Sequence, residues 1–290
     1  MTSSPTDPAA ADKAADRSSV SGHYACNGLI EAIENGIVRM GKTIDTVTID
    51  DLAPVDEFHI GGRKATEELV EQLGIAPGDH VLDIGCGLGG PARFIADRCK
   101  CRVSGIDLTP DYVETGNRLC EWTGLSDRVK LYQSTALSTP FPDSAFSAAY
   151  MIHVGMNIGD KENLFLEAAR VLRPGSRFAV YDVMRTADGD LSFPVPWATT
   201  RESSAVDTAQ GYRRALQLAG FDILSERNRR EFALSYFDDL RSRAEAAGDA
   251  MPLGLHTLMG ERRQAQIKNM IEGISTGKIA PVAMVARKAR

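Results

Sequence analysis

The residues best suited to chemistry cluster around a glycine-rich turn in the first third of the chain. Residues 81–90 join an apolar run, which predicts a buried strand, to a turn that contains Gly85, Gly87 and Gly90. Glycines permit a tight turn at positive φ and a close approach of the backbone to a ligand. Because Pro91 suits the first turn of a helix, the pattern predicts strand, turn and helix in succession. This arrangement is typical of a site for a nucleotide-like ligand.

Asp83 distinguishes between two candidate ligands. The three glycines alone fit the G-x-G-x-x-G pattern of dinucleotide sites, so an NAD-dependent oxidoreductase is one alternative. A carboxylate just ahead of the glycines would repel a pyrophosphate, but it suits a ligand that carries an amino group and a sulfonium. S-adenosylmethionine is such a ligand, and we expect Asp83 to contact it.

Asp107 is the second acidic candidate. It ends the next predicted strand about 20 residues past Gly87, where the dinucleotide analogy places an acid on the ribose hydroxyls. The alternative is a helix cap ahead of Pro110. Leu108 follows and would cover one face of an adenine ring.

Three histidines are candidates for the acceptor side of such a reaction. His153 ends the predicted fourth strand, at the edge of an open sheet where ligands bind, and it is the main catalytic candidate. Its alternative is a histidine packed in the core. His59 is the second catalytic candidate and a substrate contact, with a surface histidine as the alternative, and His256 is a further substrate contact.

Other side chains are expected to hold the acceptor. Asp56 and Glu57, with the histidines, would bind an amine by charge and hydrogen bonds, and Asn157 follows the fourth strand. Trp197 and Tyr236 would line an acceptor pocket, although filling of the core is the usual role of aromatic residues.

The composition argues against several classes of function. The 33 Lys+Arg against 39 Asp+Glu give a net charge of -6 without a long basic run, which argues against a nucleic-acid partner. No apolar segment approaches the roughly 20 residues of a membrane helix, and no signal pattern opens the chain. We therefore expect a soluble, cytoplasmic protein without a membrane partner. The 5 cysteines lack C-x-x-C spacing, so neither a disulfide framework nor a metal site is predicted.

The order of predicted elements indicates an α/β fold. Helices alternate with strands, which predicts a doubly wound, mostly parallel sheet of seven strands. After the strand at 81–84, the predicted strands are residues 102–107, 129–133, 146–153, 177–183, 221–226 and 282–286.

The chain is expected to have three parts. Residues 1–20 are poor in apolar side chains and predict a disordered tail. Residues 21–60 are expected to form a helical N-terminal lid, with a helix from Tyr24 to about Met40 and a loop-rich crossing from Thr43 to Ile60. Residues 61–290 would form the main domain, with a helical insertion at about 233–278 before the last strand.

With these elements placed, the chain resembles the class I S-adenosylmethionine-dependent methyltransferases. The resemblance lies in motifs that occur in the family's order, at residues 82–90, 105–109, 137–143 and 169–175. Within the family, the chain is similar to the small-molecule branch that includes sarcosine/dimethylglycine and tocopherol methyltransferases. That similarity lies at residues 56–62 and 151–157.

The resemblance implies a Rossmann-like methyltransferase fold and a set of cofactor contacts. The implied contacts are Asp83, Gly85, Cys86, Gly87, Gly89, Asp107, Leu108, Thr135, Ala136 and His153. The family often has an acidic residue near Thr135 that binds the adenine amino group. Here Thr135 can accept one hydrogen bond without a charge, or the backbone at Ala136 can serve instead.

The implied reaction is methyl transfer to a small molecule, with S-adenosyl-L-homocysteine as the product and no metal. We expect an amine nitrogen as the acceptor, and a hydroxyl or a carbon remains an alternative. A neutral amine attacks through its lone pair, whereas a hydroxyl or carbon acid must lose a proton, which His153 could take. A non-catalytic binding module is the third functional alternative, beside the methyltransferase and the NAD-dependent oxidoreductase. A homodimer is one possible oligomeric state.

Overall fold

The structure, a computed structural model of the 290-residue chain, describes residues 28–247, 252–259 and 263–290. The tail expected at residues 1–20 and the predicted helix start at Tyr24 lie outside these ranges.

Seven strands and a series of helices alternate along the chain. The strands are β1 (His80–Ile84), β2 (Arg102–Asp107), β3 (Val129–Gln133), β4 (Phe146–Ile152), β5 (Leu172–Arg185), β6 (Phe221–Asn228) and β7 (Ile279–Lys288). The helices before β5 are α1 (Leu29–Arg39), α2 (Ile49–Asp56), α3 (Gly62–Val70), α4 (Gly90–Cys99), α5 (Pro110–Trp122) and α6 (Lys161–Val171). The later helices are α7 (Ala209–Leu218), α8 (Arg230–Ala247), α9 (His256–Met259) and α10 (Arg263–Ser275).

The strands form one sheet in the order β3-β2-β1-β4-β5-β7-β6. Strands β1 to β5 pair in parallel, and β7 runs antiparallel to both β5 and β6. The predicted seven-stranded, mostly parallel, doubly wound sheet is confirmed. The strand order reverses between β1 and β4, and in such sheets the crevice outside the carboxyl ends at this point binds ligands.

The sheet is covered by apolar side chains on both faces. Val81 of β1 packs in one cluster with Ala92 and Ile95 of α4. Its neighbour Leu82 packs in the other cluster with Leu164 of α6. Successive strand residues point to opposite faces, so an apolar run is what a strand buried on both sides requires.

The N-terminal segment differs from the prediction of a loop-rich crossing between Thr43 and Ile60. Helix α2 forms there because Thr48 and Asp51 make a capping box, in which the Asp51 backbone N–H donates to Thr48 Oγ1 over 3.3 Å and the Thr48 N–H donates to Asp51 Oδ2 over 2.8 Å. Pro54 lies inside this helix, and its presence was the reason that the sequence predicted a loop here.

Helices α1 and α2 pack onto the side of the crevice where the glycine turn lies. Their residues Ile33, Leu52 and Val55 share a cluster with Leu88 and Tyr112. The segment between β6 and β7 is helical, as predicted, and it begins at Arg230. Across the described ranges, no helix combines the length and apolar character needed to cross a membrane.

Candidate active site

A cavity of about 450 Å³ opens at the carboxyl ends of β1, β2 and β4. Its wall includes every predicted cofactor contact except Gly89: Asp83, Gly85, Cys86, Gly87, Asp107, Leu108, Thr135, Ala136 and His153. It also includes four of the predicted substrate contacts: His59, Asn157, Trp197 and Tyr236. The topology therefore brings together residues that lie far apart in the sequence.

The glycine turn forms the floor of one end of the cavity. Gly85, Gly87 and Gly89 have φ angles of 74°, 52° and 76°. These angles lie in the left-handed region, which glycine adopts without strain. A Cβ at Gly85 would lie 2.2 Å from Val154 Cγ2, so only glycine fits there. A Cβ at Gly87 would meet no atom within 4 Å, so the backbone of Gly87 has open space beside it.

Asp107 is fixed by the backbone around it. Its Oδ2 accepts a hydrogen bond from the Gly87 N–H over 2.9 Å, and its Oδ1 accepts one from the Thr109 N–H over 2.9 Å. Burial raises the pKa of this carboxyl group, and the two backbone N–H groups oppose that rise. The side chain thus ties the glycine turn to the end of β2 while it lines the cavity. Leu108, Thr135 and Ala136 line the same end.

Asp83 is a buried carboxyl group at the end of β1. The hydroxyl of Tyr150 on β4 donates a hydrogen bond to its Oδ2 over 2.8 Å. Burial is the main cause that raises its pKa to about 8, and the charge of Asp107 adds to the effect. At neutral pH the group is therefore mostly protonated, and a cation placed in the cavity would favour its ionised form.

His153 follows β4 with a φ of 55, unusual for a residue other than glycine. Its N–H donates to the Tyr181 carbonyl of β5 over 2.7 Å, which fixes this backbone. Its buried Nε2 has no hydrogen-bond partner among the described residues. Burial lowers its pKa well below the usual range, and nearby His59 lowers it further. The imidazole is therefore uncharged near neutral pH.

His59 stands beside His153, with ring centroids 6.0 Å apart. Its Nε2 lies 3.0 Å from the Gly62 carbonyl, which can only accept, so this nitrogen carries the proton. Burial lowers the pKa of His59 to about 4. Two neutral imidazoles therefore adjoin the end of β4.

The far end of the cavity is apolar and aromatic. It is formed by residues of one hydrophobic cluster that also line the cavity: Ile60, Met156, Trp197, Tyr236, Phe237 and Met270. The Trp197 indole donates its N–H to Ser204 Oγ over 3.0 Å, which holds the ring in place. Asn157 lines the cavity beside this end, and its side-chain amide donates to the Val154 carbonyl over 3.2 Å. We call the part of the cavity formed by Ile60, Met156, Trp197, Tyr236, Phe237 and Met270 the apolar end.

Three predicted contacts do not line the cavity. Glu57 instead accepts hydrogen bonds from Arg63 Nε over 2.5 Å and from Thr66 Oγ1 over 2.6 Å. Gly89 caps helix α4, and His256 begins the short helix α9. The position of Glu57 differs from the expected amine contact because its carboxylate satisfies the guanidinium of Arg63.

Of the two acidic residues expected to bind an amine, Asp56 lines the cavity and Glu57 does not. The carboxylate of Asp56 pairs with the buried Arg93. Sequence reasoning missed Phe58 and Tyr112, which also line the cavity. Among the described residues, no group of three or more His, Cys, Asp or Glu side chains is placed to hold a metal ion.

A family model and several known proteins are similar to this chain in sequence. Residues 81–175 match a family model described as a methyltransferase domain. Methyltransferase GfsG of Streptomyces halstedii is 31% identical over 201 residues, which cover 68% of this chain and 70% of that protein. Sterol 24-C-methyltransferase of Eremothecium gossypii is 33% identical over 180 residues, which cover 60% of this chain and 48% of that protein. The chain thus spans about half the length of the sterol enzyme.

A solved structure shares the fold over nearly the whole chain. Geranyl diphosphate C-methyltransferase from Streptomyces coelicolor, in complex with Mg²⁺, geranyl-S-thiolodiphosphate and S-adenosyl-L-homocysteine, superposes with a TM-score of 0.68. The two are 20% identical, and the match covers 99% of this chain and 100% of that chain. This likeness shows the fold alone.

Proposed function

The chain belongs to the class I S-adenosylmethionine-dependent methyltransferases, and on this premise we propose that it methylates an oxygen or carbon of a small, uncharged and largely apolar acceptor. The observation that carries the proposal is the division of one cavity into two chemically different ends. One end has the glycine turn and buried carboxyl groups, and the other is the apolar end. His153 follows β4 and lines the same cavity.

The end with the glycine turn suits the donor. Gly87 leaves room for a ligand against the backbone, and Asp107 is held in place to accept hydrogen bonds from ribose hydroxyls. Leu108 and Ala136 would contact the adenine ring, and Asp83 would face the cationic methionine half. When bound, S-adenosylmethionine supplies a methyl group on a sulfonium.

The apolar end suits an acceptor without a charge. The aspartates in the cavity wall all adjoin the glycine turn: Asp83 precedes it, Asp107 bonds to Gly87, and Asp56 lies against Gly90. None of the six residues that define the apolar end carries a charge. Arg241 of α8 also lines the cavity, but it is a cation, paired with Asp238 over 2.9 Å, and it offers no partner to an ammonium. Most amines are protonated near neutral pH, and a buried ammonium without a carboxylate is unfavourable. We therefore favour a hydroxyl or carbon nucleophile over the amine expected from the sequence.

His153 would serve the acceptor. A buried polar atom without a partner is unfavourable, and an acceptor hydroxyl beside Nε2 would satisfy it. As the acceptor oxygen forms its bond to carbon, its proton becomes strongly acidic. A neutral imidazole can then take this proton even though its pKa is low. Aromatic and aliphatic side chains at the apolar end exclude water, and they hold the acceptor so that it meets the donor in line.

The name of one relative agrees with this class of acceptor. The sterol 24-C-methyltransferase methylates a carbon of the molecule in its name. We carry over only the class, an extended and mostly apolar molecule.

We also propose that residues 28–60 act as the cover of the donor end. Helix α2 packs on Leu88 of the glycine turn and on Tyr112 of α5. The stretch that follows α2 contributes Phe58, His59 and Ile60 to the cavity wall. Such covers exclude water from the reaction.

A panel of matched acceptors tests the proposal. Alcohols, phenols and amines with the same apolar skeletons are incubated with methyl-labelled S-adenosylmethionine, and labelled product is counted. We expect the neutral acceptors to exceed their amine counterparts by about tenfold or more in kcat/KM, because the ammonium must be desolvated without a partner. The Asp107→Ala variant serves as the background control. Preferential methylation of the amines would overturn the proposed acceptor class and leave the family assignment intact.

A further inference from the structure

A buried network beneath the turn after β4 has no part in the reaction described so far. Strand β5 contributes Asp182, whose side chain is inaccessible to solvent. The hydroxyl of Tyr212 on α7 donates to its Oδ2 over 2.7 Å, and the Val183 N–H donates to its Oδ1 over 3.2 Å. The backbone N–H of Gly155 is a further donor to this carboxylate.

Gly155 begins the single 3₁₀ turn Gly155–Asn157, which lies directly after His153. A Cβ on this glycine would lie 2.5 Å from Asp182 Oδ2 and 2.5 Å from the Tyr212 hydroxyl. The start of the turn therefore packs so closely against Asp182 that no side chain larger than that of glycine fits at position 155.

The far end of the same turn meets a buried cation. Lys161 at the start of α6 is 6% exposed. Its Nζ donates to the Ile158 carbonyl over 2.5 Å and to the Ala205 carbonyl over 2.9 Å. A short helical turn leaves N–H groups free at its start and carbonyl groups free at its end. Asp182 and Lys161 supply an acceptor and a donor at those two ends.

The same stretch of β5 also holds His153. The carbonyl of Tyr181, the residue before Asp182, accepts the His153 N–H over 2.7 Å, and the Tyr181 ring centroid lies 5.3 Å from that of His153. Residues 181 and 182 thus fix the backbone of His153 and that of Gly155. Met156 and Asn157, between the two clamped ends, line the cavity.

We propose that Asp182 is a positioning residue, a buried anion that sets the turn at residues 153–158 and thereby the place of His153. Ionised, the carboxylate accepts from Tyr212, Val183 and Gly155 together. Protonated, it gives up acceptor capacity and loosens the turn. The proposal rests on the assignment of this turn to the acceptor side made above.

The charged and titratable groups around Asp182 are few. Lys161 of α6 favours its anionic form, Tyr212 of α7 donates to it, and Asp207 before α7 acts on Lys161 and Tyr212. Burial raises the pKa of Asp182 to about 6, and these partners limit the rise. His59 and His153 stay neutral through this range because their pKa values are lower still. A change near pH 6 therefore separates Asp182 from the two histidines.

Nuclear magnetic resonance of the full chain tests the proposal without an acceptor. The protein carries ¹³Cε1-labelled histidine and is kept free of the donor and its product, so that the pKa of Asp83 stays at about 8. It is titrated from about pH 5 to 7, around the usual histidine pKa. A His153→Gln variant assigns the His153 signal. We expect this signal to move with one inflection near pH 6 in the unaltered protein. The Asp182→Asn variant should show no inflection.

A second variant keeps the test decisive if Asp182→Asn misfolds. Tyr212→Phe removes one hydrogen bond that favours the anion, so the inflection should move up by about one pH unit. Asp160→Asn is the matched control, because it removes the charge of the exposed N-cap of α6 and keeps a side-chain oxygen that can accept the Asn163 N–H. It should leave the inflection unchanged. A flat His153 signal in the unaltered protein would overturn the proposal. An inflection that survives in Asp182→Asn or stays in place in Tyr212→Phe would do the same.

Once an acceptor is known, kinetic measurements distinguish a positioning role of Asp182 from a role in stability alone. Asp182→Asn should lower kcat by about tenfold or more, while the Kd of S-adenosyl-L-homocysteine stays within about twofold. Equal losses in both would indicate a general structural role. If no acceptor of the proposed class is found, the resonance experiment still decides on Asp182.

Discussion

Binding of the donor should release a proton from Asp83. Burial raises the pKa of this carboxyl group to about 8, so at pH 7 about 0.9 of the molecules carry the proton before binding. The donor brings an ammonium and a sulfonium into the cavity that Asp83 lines. A nearby opposite charge lowers a carboxyl pKa by about 1 to 3 units. A fall of about 2 units leaves about 0.1 protonated at pH 7, a release of about 0.8 proton per donor bound.

Isothermal titration calorimetry measures this release. The binding enthalpy of S-adenosylmethionine is recorded at pH 7 in buffers with different ionisation enthalpies, and the slope gives the number of protons transferred. Asp83→Asn keeps an acceptor for the Tyr150 hydroxyl and loses the titrating group, so its slope isolates any proton from the ligand's own amino group. We expect the difference between the two slopes to be about 0.8 proton at pH 7 and about 0.1 at pH 9. Equal slopes, or uptake of a proton by the unaltered protein, would refute the assignment of the donor to Asp83.

Three further predictions concern the neighbouring groups. Asp107→Asn should weaken S-adenosyl-L-homocysteine binding by about tenfold or more in calorimetry, because a buried charged partner of the ribose is lost; unchanged affinity would remove the ribose role. His153→Ala should lower kcat for a hydroxyl acceptor by about a hundredfold with little change in donor affinity; kcat and KM within about twofold would make it a packing residue. The pKa of His59 is about 4 in the folded protein and about 6.5 when unfolded, so its contribution to stability is complete above pH 6.5 and is lost as the pH falls toward 4. Urea unfolding measures the free energy of unfolding at pH 7 and at pH 4, and the decrease between the two should be smaller by up to about 3 kcal/mol in His59→Gln than in the unaltered protein. An identical decrease in both proteins would contradict the lowered pKa of His59.

The end of the cavity with the glycine turn could be predicted from the sequence because its signals are local. The glycine turn lies within ten consecutive positions, and Asp107 lies 20 residues beyond Gly87, to which it bonds. A strand, a turn and a helix fix the relative places of such residues almost regardless of the rest of the chain. The capping box of Thr48 and Asp51 was also readable, but Pro54 and the acidic residues around it favoured a loop.

The rest of the cavity wall depends on contacts between distant segments. Asp56 and Glu57 are neighbours at the end of α2, yet the carboxylate of Asp56 pairs with Arg93, 37 residues away, and that of Glu57 meets Arg63 and Thr66. Which of two adjacent acids adjoins the cavity depends on the direction in which the helix ends. Met156 and Met270 adjoin the same cavity only because the 3₁₀ turn after β4 and helix α10 meet in the folded chain. Local pattern carries no information on such pairs.

A crystal structure of the full chain with bound S-adenosyl-L-homocysteine tests the assignment of the donor to the glycine-turn end of the cavity. We predict that the ribose hydroxyls meet Asp107, that the adenine lies beside Leu108 and Ala136, and that the sulfur points toward His153. The space between Trp197 and Met270 should then remain for the acceptor. An adenosyl group bound among Trp197, Tyr236 and Met270, or a sulfur that points away from His153, would contradict the division of the cavity into a donor end and an apolar end.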